Sequence, residues 1–250
     1  MNLKFDKILF LDIETVPQTN DYQSLDKEFQ HLWEAKYEYV KARFPADSTP
    51  EYGYLNGAGV YAEFGKICCI SVGVIFYRNG VVWFRTKSFA GTDERKILAD
   101  FSAMLTKSFS DADNNLCGHN IKEFDVPYIC RRLLINGLPI PKMLQVHGKK
   151  PWEISFLDTL DLWKFGDYKH FTSLKLLTHI FGIPSPKDDI DGSQVARVFY
   201  EENNIARIAT YCEKDVLATA QLLLKIFGKP LIAAENVESA QKSLTNCLPL

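Results

Sequence analysis

The stretch that most constrains this chain is "KILFLDIET", Lys7 to Thr15. Its apolar run reads as a buried strand, yet it ends in Asp12 and Glu14. These are one residue apart, so on a strand both carboxylates point to the same face. Two like charges side by side repel, and burying them is costly unless something positive sits between them. What the pair is for depends on whether the rest of the chain brings further carboxylates to the same spot.

A chain of 250 residues that is 46% hydrophobic and 13% aromatic can bury a substantial core, as one large domain or one domain with an insertion. The net charge of -2 does not indicate a basic, non-specific nucleic-acid binder, although bound divalent metals change the local sign. Cys68, Cys69, Cys117, Cys130, Cys212 and Cys247 form no CxxC pair. They read as reduced core thiols of a cytoplasmic protein rather than as a zinc site or a disulfide framework. The N-terminal apolar run is too short for a signal peptide, and nothing approaches membrane-spanning length. A cytoplasmic enzyme is the expected class.

Further along, Ser24 to Phe44 has helical periodicity with Leu25, Phe29, Leu32 and Val40 on one side. The glycine-bearing residues after it look like loop, and about 17–65 is read as an insertion between the first two strands. Strands are expected over Ile67–Phe76 and Val81–Phe89, joined through Asn79-Gly80, a hairpin turn signal. Helices are expected over Asp93–Phe109, Val126–Gly137, Ser173–Gly182 and roughly Ile205–Phe227, with strands at "NLCGHN" and "ISFLDTLDLW". Residues 231–250 read as a weakly patterned tail after a single domain over 1–230. This order of elements indicates an α/β domain with a mixed sheet.

Three segments place acids at privileged points: Asp12 and Glu14 on the first strand, Asp125 in "NIKEFDVP", and Asp215 in "TYCEKDV", four residues after Tyr211 on one helix face. Singly, each reads as a solvated or capping acid. Together the balance reverses, because four converging carboxylates cannot all stay ionised without cations, and hard divalent cations prefer oxygen ligands. Two such ions about 3.5–4 Å apart can activate water on one side of a phosphorus and stabilise the leaving oxygen on the other.

The DxE of "LDIET", the Nx3FD of "NIKEFD" and the Yx3D of "YCEKD", in that order, resemble the three exonuclease motifs of the DEDD superfamily. The tyrosine is that of the DEDDy branch, which is similar to the 3'-5' proofreading domain of family B DNA polymerases. The resemblance implies a ribonuclease H-like fold, a five-stranded mixed sheet flanked by helices. It also implies a metal-dependent 3'-5' exonuclease that releases nucleoside 5'-monophosphates using two divalent ions, Mg2+ or Mn2+. By the same resemblance Asp12, Glu14 and Asp215 would bind one ion, and Asp12 with Asp125 the other. Tyr211 would orient the attacking water, Asn120 and Phe124 would hold the terminal nucleotide, and the backbone at Thr15 would approach the 3'-hydroxyl. The expected substrate is single-stranded DNA, with RNA the alternative, and replication or repair proteins are candidate partners.

Other polar residues read first as structural. Asp158, Asp161 and Asp191 are strand-end or capping acids, and His119 and His147 have structural or surface roles. Lys149, Lys150, Lys164, Lys169 and Lys175 are candidates for a phosphate-contacting rim. The insertion's Phe29, Trp33, Tyr37, Tyr39 and Phe44 either guide a single strand or bury one another. A phosphatase using Asp12 as nucleophile is disfavoured by Glu14 two residues on, and a catalytically inactive binding module has no need of the full acid set.

Overall fold

The computed structural model describes residues 3–167, 171–184 and 190–240. Lys169, residues 187–189 of the acidic cluster at 187–193, and the end of the tail with Cys247 lie outside them.

Strand β1 (Ile8–Pro17) is apolar on both faces over its first half, as a central strand should be. Leu9, Leu11 and Ile13 enter one core layer, while Ile8 and Phe10 enter the layer on the opposite face. Two helices follow β1, α1 (Lys27–Val40) and α2 (Pro50–Gly57). A long hairpin comes next, β2 (Gly65–Arg78) and β3 (Val81–Ala90), with β2 antiparallel to both β1 and β3. Its turn uses Asn79 and Gly80 at φ 50° and 78°, the left-handed pair that a two-residue hairpin requires.

Then come α3 (Glu94–Ser108), β4 (Asn115–Gly118), α4 (Asp125–Ile135), β5 (Leu157–Asp158), α5 (Thr159–Lys164), α6 (Leu174–Ile180), α7 (Val195–Tyr200), α8 (Ile205–Ile226) and β6 (Val237–Ser239). The sheet order is β5-β4-β1-β2-β3-β6, with β1, β4 and β5 mutually parallel and β6 parallel to β3. Helices α3 and α4 cover one face, and the 22-residue α8 crosses β1, β2 and β3 on the other. Among the described residues no helix is long and apolar enough to cross a membrane.

Four expectations are corrected. The sheet has six strands rather than five, because the tail supplies β6 at the β3 edge, and three residues are too few to show a period. Residues 50–57 form α2, not loop: Thr49 caps it through the Tyr52 amide and Pro50 occupies its first turn, which outweighs its two glycines. The stretch "ISFLDTLDLW" is strand for only two residues, since Asp158 accepts from the Leu160 amide and starts α5. In α1 the buried positions are Trp33, Tyr37 and Val40, while Leu32 is 50% exposed. The aromatic rings set the face there. Trp33 packs edge-on to Tyr54 and Phe64, and Tyr37 stacks on Phe44 at 5.7 Å. These aromatics, Phe29 included, bury one another in their own cluster, and Tyr39 alone of the five is fully exposed, at 89%.

Candidate active site

Period-two alternation carries Asp12 and Glu14 onto the face of β1 already occupied by Ile8 and Phe10, which is the face α8 covers. On α8 the stripe Ile208, Cys212, Val216 and Ala220 faces the sheet. Tyr211 and Asp215 flank that stripe, half-buried. Crossing an acid-bearing strand with this helix brings Asp215 and Tyr211 over Asp12 and Glu14.

Asp125 arrives by a different route. Strand β4 pairs with β1 only from Ile8 to Phe10, so beyond Phe10 the β4 side of β1 has no strand partner. The Ile13 amide fills its need by donating to Asp125 Oδ1 at 3.1 Å. Asp125 is the first residue of α4 and 3% exposed. It is therefore a substitute ladder partner for β1 rather than the plain helix cap its sequence position implies.

The electrostatics reflect the convergence. Burial, then Asp125 and Asp215, hold the Asp12 carboxyl well above the ordinary carboxylate range. Burial, then Asp12 and Asp215, do the same to Glu14. Asp125 is pushed up to about 7, chiefly by burial. Every charge among the main influences on Asp12 and Glu14 is negative. Glu14 is 8% exposed. A buried acid set of this kind either stays protonated or takes up cations. Its oxygen donors fit hard divalent ions.

Tyr211 shares a side-chain hydrogen bond with Asp215, and burial together with Asp215, Glu14 and Asp12 raises its phenol above the usual value. Beneath the acids, the Cys212 thiol donates to Asp12 Oδ2 at 3.3 Å and to the Asp12 carbonyl at 3.5 Å, and the Cys68 thiol donates to the Glu14 carbonyl at 3.4 Å. The sequence marks Cys212 only as a reduced core thiol. The missed signal is that its stripe on α8 runs under the Asp12 side of β1.

The residues expected to touch a nucleotide lie on the adjoining loop. Asn120 is left-handed, at φ 67°, held by its amide donating to Asp158 Oδ1 at 2.9 Å, while the Lys122 amide donates to Asp158 Oδ2 at 3.1 Å. Asp158, read as a strand-end cap, is thus also the organiser of this loop. Phe124 is half-buried with its ring 5.5 Å from Tyr128. Thr15 is half-buried, just after a register shift between β1 and β2, and hydrogen bonds to Tyr128. His119 is structural, its ring nitrogens engaged by Thr159 Oγ1 and the Thr172 carbonyl at 2.9 Å each. Lys149 does not join this cluster: it lines a cavity of about 410 Å3 beside Asn114 and Asn115, where β4 begins. Lys150 lies over Trp152, and Lys164 pairs with Asp161 at 3.6 Å.

A mixed sheet of this order, with acids on its central strand faced by a long helix, defines a ribonuclease H-like α/β domain carrying a carboxylate cluster. Residues 61–248 match the family described as a predicted 3'-5' exonuclease related to the exonuclease domain of PolB, and the chain belongs to that family. The matched range includes Asp125, Tyr211 and Asp215 and begins after β1. The fold is similar to part of the family B DNA polymerase from the hyperthermophilic archaeon Pyrobaculum calidifontis, with a TM-score of 0.53 at 16% identity over 87% of this chain. The chain covers 24% of that polymerase. No curated protein matches the sequence. Exonuclease domains of this kind use divalent metals and act on nucleic acid.

Proposed function

We propose that this protein is a metal-dependent 3'-5' exonuclease of the DEDDy kind, acting on single-stranded DNA and releasing nucleoside 5'-monophosphates. The observation that carries the reading is the convergence of Asp12, Glu14, Asp125 and Asp215 in mutual repulsion, with Tyr211 hydrogen bonded to Asp215.

Asp12, Glu14 and Asp215 would hold one Mg2+ or Mn2+ ion, and Asp12 with Asp125 a second. When bound, such a pair supplies Lewis acidity toward the scissile phosphate and makes a water nucleophilic near neutral pH. Tyr211 orients that water. Its phenol stays protonated at neutral pH because burial and the neighbouring acids raise it, so it is a hydrogen-bonding group and not the base. The water's oxygen forms the new bond to phosphorus and its proton goes to solvent, while the bond from phosphorus to the 3'-oxygen of the preceding nucleotide breaks and that oxygen takes up a proton from solvent. The strand is left with a new 3'-hydroxyl. Asn120 and Phe124 hold the terminal nucleotide, and the Thr15 backbone adjoins its 3'-hydroxyl. A duplex end must be unpaired to reach a buried site, which is why a single strand is preferred.

The test is a 5'-labelled single-stranded DNA incubated with Mg2+ or Mn2+, beside a matched RNA and an Asp12→Ala control. A ladder shortening from the 3' end, absent in the control, supports the reading, and the DNA/RNA ratio identifies the substrate. No shortening of either polymer defeats it.

A further inference from the structure

A polar row runs from the acid cluster across the sheet beneath α8. Asp12, Ser71 and Ser88 are cross-strand partners on β1, β2 and β3, so their side chains share the face that α8 covers. Ser71 and Ser88 are 0% and 4% exposed, with their hydroxyls 2.8 Å apart. The row ends on Glu213 of α8. Its Oε1 accepts from Ser88 Oγ at 2.8 Å and from Ser239 Oγ of β6 at 3.3 Å, and its Oε2 accepts from Thr86 Oγ1 at 2.8 Å. Ser88 gives its one hydrogen to Glu213, so Ser71 donates to Ser88.

Successive residues of a helix turn by about 100°. With Cys212 facing the sheet, Tyr211 and Asp215 fall on the flank of α8 toward β1, and Glu213 falls on the flank toward β3. The first flank is under stress, because Asp215 repels both Asp12 and Glu14 and like charges push the helix edge off the strand. The apolar stripe between the flanks holds α8 down without fixing its rotation, since burial of apolar surface is non-directional. Hydrogen bonds are directional, and those of Glu213 anchor the opposite flank.

We infer that Glu213 is a positioning residue of the acid cluster: by binding the hydroxyls of β3 and β6 it fixes the rotation of α8 and holds Asp215 and Tyr211 over Asp12 and Glu14 against their repulsion. The consequence for strand shortening rests on the proposed nuclease reading; the placement of Asp215 does not.

Crystal structures grown in chelator test the placement without metal or substrate. In Glu213→Ala the Asp215 carboxyl should withdraw from Asp12 by ~1 Å or more, the scale at which a misplaced group costs activity; an unmoved α8 overturns the inference. If that variant does not fold, the Thr86→Val, Ser88→Ala double variant removes the bonds from the β3 side and is judged by the same shift. In calorimetric titration, Glu213→Ala should bind Mn2+ ~10-fold more weakly than the wild type, and Glu213→Gln, which keeps an acceptor for Thr86, within ~3-fold of it. Equal affinity of the wild type and Glu213→Ala overturns the inference. With Mn2+ saturating, kcat of Glu213→Ala should fall ~10-fold while KM for the strand holds, since Asn120 and Phe124 are carried between β4 and α4 rather than on α8. An unchanged kcat, or a change in KM alone, overturns the catalytic consequence. A lower melting temperature with Mn2+ affinity and kcat intact makes Glu213 structural only and overturns it too. A wild type that shortens no strand defeats the nuclease reading, while the chelator structures still decide the placement.

Discussion

The Ile13 amide donates to Asp125 Oδ1 at 3.1 Å, joining the residue between Asp12 and Glu14 to the first turn of α4. One hydrogen bond thus positions the third acid against the first two, across 112 residues of chain. The cluster is assembled by backbone that β1 leaves unpaired, at the cost of burying like charges together. Most of the expected behaviour of this protein follows from that conflict.

Asp12→Asn removes one charge and keeps the shape. Without metal, the variant should melt higher than the wild type, because repulsion with Asp125, Asp215 and Glu14 is relieved. Its strand-shortening rate should fall by ~100-fold or more, equivalent to about 3 kcal/mol of lost transition-state stabilisation. Calorimetry and the labelled-strand assay on the same preparation check both; a fall in both stability and activity would point to a misfolded variant instead of a lost ligand.

Tyr211→Phe should slow hydrolysis by ~10–100-fold, the worth of one hydrogen bond to a charged partner. The alkaline limb of its pH–rate profile should not move, because burial and Asp215 keep the phenol protonated there. Loss of an ionisation from the profile would make the phenol a base.

Asp125 rises from the ordinary 3.8 to about 7 on burial. A folded state that binds the proton more tightly than the unfolded chain is favoured by acid. The contribution is fully present below about pH 4 and is lost as pH rises through about 7. About 3 kcal/mol of this contribution is lost between pH 5 and pH 8, so metal-free protein should melt ~5–10 °C lower at pH 8 than at pH 5. Saturating Mn2+ should raise the melting temperature more at pH 8 than at pH 5. Scanning calorimetry in chelator at both pH values gives the answer, and a melting point that climbs with pH contradicts the assignment.

Asp158→Ala leaves the Asn120, Lys122 and Leu160 amides without their acceptor. The α5 cap accounts for about 1 kcal/mol of the expected destabilisation. The loop that carries Asn120 loosens as well, so KM for a single strand should rise more than kcat falls. Steady-state kinetics on a short oligonucleotide separate the two.

Away from the acids, Arg132 on α4 grips Glu94 on α3 through Nε at 2.8 Å and a second nitrogen at 2.6 Å, both side chains buried. Glu94 also accepts from the Ile67 amide at 2.7 Å, tying β2 to both helices. Arg132→Met strands a buried carboxylate and should destabilise the protein by about 3–5 kcal/mol. Denaturant unfolding measures it, and a loss under about 1 kcal/mol would mean that Ile67 and Asn136 satisfy Glu94 alone.

Local chemistry made much of this molecule readable without coordinates. An apolar run too long to be one-faced announced β1, Asn79-Gly80 announced the hairpin, and spacing of one and of four put Asp12 with Glu14 and Tyr211 with Asp215 on common faces. Those are properties of a strand or a helix taken singly, and they follow from backbone geometry. The sheet edge did not follow: β6 is three residues whose pairing with β3 depends on where α8 delivers the chain. Nor did the inward face of α1, which the partners Tyr54 and Phe64 select in favour of Trp33 over Leu32. Convergence of the acids was an inference from their number, and tertiary structure supplied its mechanism. Strand β4 stops pairing at Phe10, the Ile13 amide it leaves without a strand partner takes Asp125, and α8 sets Cys212 under Asp12. Periodicity assigns a residue to a face; only the packing of one element on another decides what that face meets.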